Sequence, residues 1–433
     1  MKNDLQGKKI LIIGGINAIA DLVELAHKRG IKVGVLDYNK NTYLKSIADY
    51  AYDMDALDVD GIVEIVREEN YQGIISNFAD SLMPYVNEVA QKTNLYTVFN
   101  EKQIKLSTDK MFFKQQCVKN GVLVPKQYDF SPDKIDEFSS TAFPVIVKPV
   151  DGSGSKGISV CRDVRELKEG YLLAVSQSRN RRVIVEQYLE GDEINLTYIA
   201  QDGDISLAAI HDRYFNAEQK SQIRVPDVYI YPSKYVDLFI DKYNDVVIRM
   251  LKYMGVKNGS LFMQAFVVGD QVYIYEAGMR LNGCKTYQIL EVENKYNSLE
   301  HLMNYSLTGS MGEKVIFDPH FKRWYATLNV VGKPGAEKIR FNKIERLQSK
   351  EWIISIARSY FDGETIPQNS GGTLVQLVAR IHLYADTKKV LLERIQETYD
   401  LLDVTDAYGE NALCAQHSVY DLRKNLNYDL SYR

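Results

Sequence analysis

The chain has 433 residues, 45% hydrophobic and 25% charged, which allows large buried cores and about three domains at roughly 150 residues each, or two with one large. A net charge of -4 gives no basic excess for nucleic acid or an anionic membrane surface. The cysteines Cys117, Cys161, Cys284 and Cys414 stand too far apart for a metal-ligand spacing or a disulfide framework, so a reducing compartment is expected. The opening MKNDLQGKKILIIGG lacks the basic region and long apolar stretch of a signal peptide, and LIIGG is too short to span a membrane. The expected location is the cytoplasm.

The first hundred residues alternate strand and helix patterns. KKILIIGG reads as a buried strand, Ile19 to Arg29 as an amphipathic helix closed by Gly30, and IKVGVLDYN as the next strand. Residues 61–69 read as a helix, YQGIISNF as a strand and Leu82 to Lys92 as a helix, a parallel α/β pattern. Gly14-Gly15 is followed by Asn17, Ala18 and Ala20, so the dinucleotide fingerprint G-x-G-x-x-G fails. Asp37 ends the second strand as a ribose-binding acid would, but a structural Rossmann-like domain is the better reading. Residues 101–120 read as a helix pair, with Asp109-Lys110 near its start.

From about 121 to 310 the strands alternate and read as antiparallel: PVIVKPV, GISVC, RRVIVEQYL, EINLTYIAQDG, DISLAAIHDR, LFMQAFVVGD and QVYIYEAGMR. Asp-Gly and Gly-Asp turns inside two of these pairs are hairpin signals. Beyond 311, WYATLNVVG and TLVQLVARIHLYA read as strands flanking helices at 349–358 and 387–400, as though completing the preceding domain.

Three stretches carry chemistry. In VIVKPVDGSGSKGISV, Lys148 lies in a strand beside a loop of Gly152, Ser153, Gly154, Ser155, Lys156 and Gly157. Loop N–H groups and lysines of this kind cradle phosphate oxygens. The loop leads into a strand, unlike the Walker arrangement. A solvated hairpin is the alternative. In RRVIVEQYLEGDEIN, the run Glu186, Gln187, Tyr188, Leu189 can lay its backbone along an adenine edge, with Glu193 on ribose hydroxyls. An exposed acidic hairpin is the alternative. In the hairpin of Gln264 and Glu276, an amide and a carboxylate oxygen suit Mg²⁺ completed by phosphate oxygens, and Arg280 can clamp a phosphate or carboxylate. A surface hairpin with an ordinary ion pair is the alternative.

The order of these features, preceded by Lys110 in TDKMFFK, resembles the ATP-grasp superfamily. The resemblance implies an α/β ATP-grasp fold. Residues 1–105 would be a Rossmann-like pre-ATP-grasp domain. Residues 106–310 would be the ATP-grasp domain, with a small α+β lid lobe at about 115–190 and a central lobe after it. Residues 311–433 would be a larger C-terminal lobe completing it. Lys110, Lys148, the loop residues 153–157, Glu186 to Leu189 and Glu193 correspond to the nucleotide ligands, and Gln264 and Glu276 to the metal ligands. The tail is similar to the amino-acid ligase and carboxylase branches. The nearest group is the stand-alone proteins similar to the carbamoyl phosphate synthetase large subunit. EAGMRLNG stands where the family has E-x-N-P-R, so Gly278 replaces an Asn that would ligate a second Mg²⁺, and Asn282 is the candidate substitute.

The implied reaction is ATP-dependent joining of a small-molecule carboxylate to an amine through an acyl phosphate. ATP and Mg²⁺ would be the cofactors and Lys148 and Arg280 the catalytic charges. His211 is a candidate base, or a strand-end histidine with a local hydrogen bond. The loop 211–233 reads as a substrate loop, with His211, Arg213, Lys220 and Arg224 able to meet a carboxylate; a solvent-exposed insertion is the alternative. Rival activities are a carbamoyl-phosphate-like or carboxylating enzyme using bicarbonate, and a non-catalytic nucleotide-binding protein. A homodimer is open, and neither nucleic acid nor a membrane is expected as partner.

Overall fold

The computed structural model describes residues 5–76, 78–151, 156–216 and 225–426. Four strands open the chain: β1 (Lys9–Ile13), β2 (Lys32–Asp37), β3 (Tyr50–Asp53) and β4 (Gly73–Ile75). They form a parallel sheet in the order β3-β2-β1-β4. Helices Ala20–Lys28, Val59–Glu68 and Met83–Thr93 alternate with the strands. Ile10, Leu11 and Ile12 are buried on both faces of β1, as a parallel strand between helices requires. The short, half-exposed strand β3 escaped the sequence reading. Asp37 Oδ2 accepts the Gly15 N–H at 2.6 Å, so this carboxylate fastens the first turn of the domain.

Three strands make a second, antiparallel sheet, β5 (Val145–Pro149), β6 (Ser159–Cys161) and β7 (Val183–Gln187), in the order β6-β5-β7. Helix Val164–Gln177, capped by Asp163, packs Leu167 and Ala174 against Val145, Val147 and Val185.

The largest sheet has eight strands: β8 (Asp192–Gln201), β9 (Asp204–Tyr214), β10 (Val228–Tyr231), β11 (Gly259–Val268), β12 (Gln271–Gly278), β13 (Trp324–Val331), β15 (Ile353–Arg358) and β16 (Leu377–Ala385). A separate pair consists of β14 (Arg340–Asn342) and β17 (Asp403–Thr405). The order in the large sheet is β12-β11-β8-β9-β10-β13-β16-β15, with antiparallel neighbours. The β8–β9 hairpin turns through Asp202 and Gly203 at φ +53° and +86°, the mirror-image turn that the Asp-Gly signal anticipates. Pairing of β10 with β13 carries this sheet across residue 310.

One expected element is different. In place of a helix at 349–358 there is a short helix Ile344–Gln348, followed by strand β15 on the sheet edge. The run WIISIAR is rich in β-branched residues, and the open flank of β16 decides its state. Helix Lys388–Leu401 lies where it was read. No helix among the described residues is long and apolar enough to cross a membrane.

The hydrophobic core beneath the N-terminal sheet is completed from elsewhere. Leu281, Tyr287, Leu299, Leu302, Met303 and Leu307 pack with Ile10, Ile12, Leu22 and Val35.

Candidate active site

A cleft of about 610 Å³ opens between the three-stranded sheet and the β12-β11-β8 end of the large sheet. Lys110, Lys148, Lys156, Glu186, Gln187, Tyr188, Leu189, Glu193, Arg213, Gln264 and Glu276 all line it. Residues that are 166 positions apart, Lys110 and Glu276, thus share one wall. Pro125, Ile146, Val160 and Phe266 add an apolar part.

Lys110 is the first residue of helix Lys110–Lys119, with Asp109 as cap, accepting from Met111 N and Phe112 N at 2.9 and 3.0 Å. A cation is disfavoured at the positive end of a helix dipole. Burial also lowers the Lys110 pKa, opposed by Glu276 and reinforced by Lys148. Both effects are relieved by an anion in the cleft. Lys110 N donates to Val150 O at 3.2 Å, tying this helix to the strand that carries Lys148.

Lys148 lies on β5 with 6% of its side chain exposed, 2.7 Å from Glu186 Oε2. Lys114 meets Glu186 Oε1 at 2.5 Å and donates to Pro125 O at 2.6 Å. Burial pushes the Glu186 carboxyl up, but Lys148 and Lys114 outweigh it and hold the group below its ordinary value. Glu186 is therefore an internal anchor for two lysines, and Gln187 to Leu189 remain for an adenine edge. Lys114 went unnoticed in the sequence, although its spacing of four from Lys110 puts both on one helix face.

Strand register orders the floor. Gln264 and Glu276 are direct cross-strand partners, so both face one side. Glu193, Arg213, Tyr229, Thr327 and His382 form a continuous cross-strand row through β8, β9, β10, β13 and β16. Arg213 donates to Glu193 Oε2 and to the Tyr275 hydroxyl, both at 2.8 Å. That hydroxyl lies 2.9 Å from Gln264 Oε1, linking the ribose candidate to the metal candidate. Burial opposes the charge of Arg213, but Tyr275 and Glu193 outweigh it and raise its pKa. Arg213 is thereby a partner of Glu193.

Other nominated residues are placed differently. His211 is fully buried against Tyr229 and Tyr231, outside the cleft lining, and burial drives its pKa well below the usual histidine value. That interior position does not fit a base or ligand reached from the cleft. The Asn282 amide is consumed locally: Nδ2 donates to Thr286 Oγ1 at 2.8 Å and Thr197 Oγ1 at 3.2 Å, and Oδ1 accepts Thr286 N at 3.1 Å. It holds the first turn of helix Thr286–Asn294 and lies outside the cleft lining, which does not fit a metal ligand reached from the cleft. Arg280 lies outside the lining and donates through Nε and Nη2 to Asp80 Oδ2 at 2.8 and 2.6 Å. Gly157, at φ +73°, packs against Gln177. Ser153, Gly154, Ser155, Lys220 and Arg224 lie outside the described residues.

A second missed residue is Arg380. It lies two positions from His382 on β16, on the same face as the Glu193 row. Among the described residues its guanidinium has no hydrogen-bond or ion-pair partner, and its Nε is buried. Burial lowers its pKa, opposed by Tyr229, Cys284 and Tyr287. Its cross-strand neighbour Asn329 has a buried Oδ1, also without a partner. An unpaired buried guanidinium is costly, and an anion is its natural counterpart. No motif in the sequence distinguishes this arginine from one on a solvated strand.

The residues present fit Mg·ATP. Lysines face the space where phosphates would sit, and the apolar wall suits a base. No group of three or more His, Cys, Asp or Glu that could hold a metal occurs among the described residues. One carboxylate and one amide oxygen are what Mg²⁺ takes when phosphate and water supply the rest.

The family model described as "ATP-grasp domain" matches residues 141–288. Formate-dependent phosphoribosylglycinamide formyltransferase of Bacillus subtilis (strain 168) is 28% identical over 213 residues, 46% of this chain and 53% of the relative. The carbamoyl phosphate synthase large chain of Clostridium botulinum (strain Kyoto / Type A2) is 22% identical over 299 residues, 65% of this chain and 28% of the relative. The chain thus spans about half the length of the first curated relative. The L-amino acid ligase from Bacillus licheniformis superposes with a TM-score of 0.73 at 15% identity, over 93% of this chain and 99% of that one, which shows the fold. Residues 141–288 thus match the ATP-grasp domain model, and the chain shares its fold with the L-amino acid ligase.

Proposed function

We propose that this protein is an ATP-dependent carboxylate–amine ligase that works through an acyl phosphate and releases ADP and phosphate. The observation that carries the reading is the convergence of Lys110, Lys148, Gln264 and Glu276 on one cleft. Lys148, fixed by Glu186, and Lys110 hold the triphosphate. Glu276 and Gln264 would hold Mg²⁺, which supplies charge neutralisation at the phosphates. Phosphoryl transfer needs little more than such positioning and charge. Arg380, which has no partner among the described residues and lies on the same sheet face, supports an anionic substrate beside the cleft, where it would orient a carboxylate. The Tyr275–Glu193–Arg213 network holds the floor between the two.

The test is phosphate release from Mg·ATP across a matrix of carboxylic acids and amines, with bicarbonate and formate among the acids and products weighed by mass. Release that requires one acid and one amine, with an amide product, supports the ligase. Release with bicarbonate alone moves the reading to a carboxylating or carbamoyl-phosphate-like activity. Nucleotide binding without turnover on a broad panel moves it to a non-catalytic role.

A further inference from the structure

Phe262 and Gly278 face each other across β11 and β12, two pairs along from Gln264 and Glu276 and therefore on the same side of the sheet. The Phe262 ring lies directly over Gly278. A Cβ at that glycine would meet ring carbons at 2.3 and 2.6 Å. No side chain can project there while the ring keeps its place. The ring is itself buried, at 6% exposure, and forms a platform for Arg280, whose guanidinium carbon lies 5.0 Å from the ring centroid. Asp80 Oδ2 fixes that guanidinium by accepting from its Nε and Nη2. The strand end beyond Glu276 therefore carries an aromatic ring and a fixed positive charge.

Oxygen ligands for a second ion are correspondingly scarce. Asn282 has both ends of its amide engaged. Glu186 is held by two lysines, and Glu193 by Arg213. Asp80 Oδ2 is taken by Arg280, and Asp80 lies outside the cleft lining with its Oδ1 buried and without a partner among the described residues. Among the described residues of the cleft, Asp192 is held by Lys234, Glu190 also lines the space, and Gln264, whose Oε1 accepts from the Tyr275 hydroxyl, and Glu276 form the cross-strand pair of oxygen ligands.

We propose that the cleft holds a single divalent cation with its nucleotide, and that the Phe262–Gly278 contact sets this number. The proposal rests on the nucleotide-binding reading of the cleft. A second ion would need a ligand at position 278, and the ring excludes one. Phe262 is then a residue that determines metal stoichiometry, and Arg280, seated on it, contributes fixed charge at the same edge.

The experiment counts ions directly. Full-length protein in excess over AMP-PNP is titrated with Mn²⁺, and bound Mn²⁺ per bound nucleotide is read by electron paramagnetic resonance. The expected result is one Mn²⁺ per nucleotide with no spin–spin broadening. Two coupled Mn²⁺ ions per nucleotide in the wild type would overturn the proposal and leave nucleotide binding intact. Absence of AMP-PNP binding with Mn²⁺ present would overturn both readings. The double variant Phe262→Ala/Gly278→Asn removes the ring and supplies an amide. If it binds nucleotide it is expected to take two coupled ions, and one ion in that complex would refute the role given to Phe262. The wild-type count decides the stoichiometry whether or not the variant folds.

Discussion

Glu186 joins two lysines in a nearly dry site, with 2% of its side chain exposed. Removing one member of such a group strands the other charges, at a cost of roughly 3–5 kcal/mol. Glu186→Ala is expected to lose about that much stability in chemical denaturation. Lys148→Ala should abolish phosphate release while the unfolding midpoint moves far less, because Lys114 still pairs with Glu186. Wild-type turnover by Lys148→Ala would remove this lysine from the phosphate site. His382 gives a pH prediction. Burial lowers its pKa from 6.5 to about 4, helped by Lys285 and Arg380, while its bond to the Cys284 carbonyl at 2.9 Å opposes the shift. The unfolded chain then takes up a proton that the folded chain refuses. The neutral ring's contribution is complete above pH 6.5 and is lost as pH falls toward 4, on the order of 3 kcal/mol in all. Stability measured from pH 7 to pH 4 should fall less steeply in His382→Asn than in the wild type. Equal slopes would show that the ring protonates freely in the native state.

At the scale of elements, the cap at Asp109 links helix formation to the site. Its backbone N–H closes one helix on Lys105 O, and its carboxylate opens the next, at Lys110. Asp109→Ala is expected to cost about 1 kcal/mol of stability. It should also raise the KM for ATP more than it lowers kcat, since Lys110 meets ground-state phosphates. An unchanged KM would mean that the rest of the cleft positions this lysine. The pairing of elements also explains which features could be read. Lys148, Gln264 and Glu276 lie in strands whose alternation is plain, so their facing follows from the pattern. Glu186 alternates just as clearly, yet its role as an anchor needed Lys114 from a helix 72 positions away. The helix expected at 349–358 failed because a short apolar run takes its state from its neighbour, here β16.

For the whole molecule, the N-terminal unit is built into the rest. Its core includes Leu299, Leu302, Met303 and Leu307, and its acids Asp21 and Asp80 bind Lys285 and Arg280. Deleting residues 1–105 would expose that apolar face and strand two cations. The remaining fragment is expected to be insoluble or to bind a hydrophobic dye strongly, where the full chain gives one cooperative unfolding transition. A soluble, compact fragment would show that the two parts fold independently.

The sequence by itself determined the alternating elements, the Asp-Gly hairpin, the helix pair at 101–120 and the order of chemical residues from Lys110 to Arg280. Each is a local property of periodicity, turn chemistry or spacing. Tertiary structure alone decided that His211 is interior, that Asn282 is spent on the first turn of a helix, that Arg280 answers to Asp80 and that Arg380 has no counter-charge among the described residues. Those outcomes depend on which distant strands and helices meet. A pairing energy between residues hundreds of positions apart leaves no mark on the residues beside either partner.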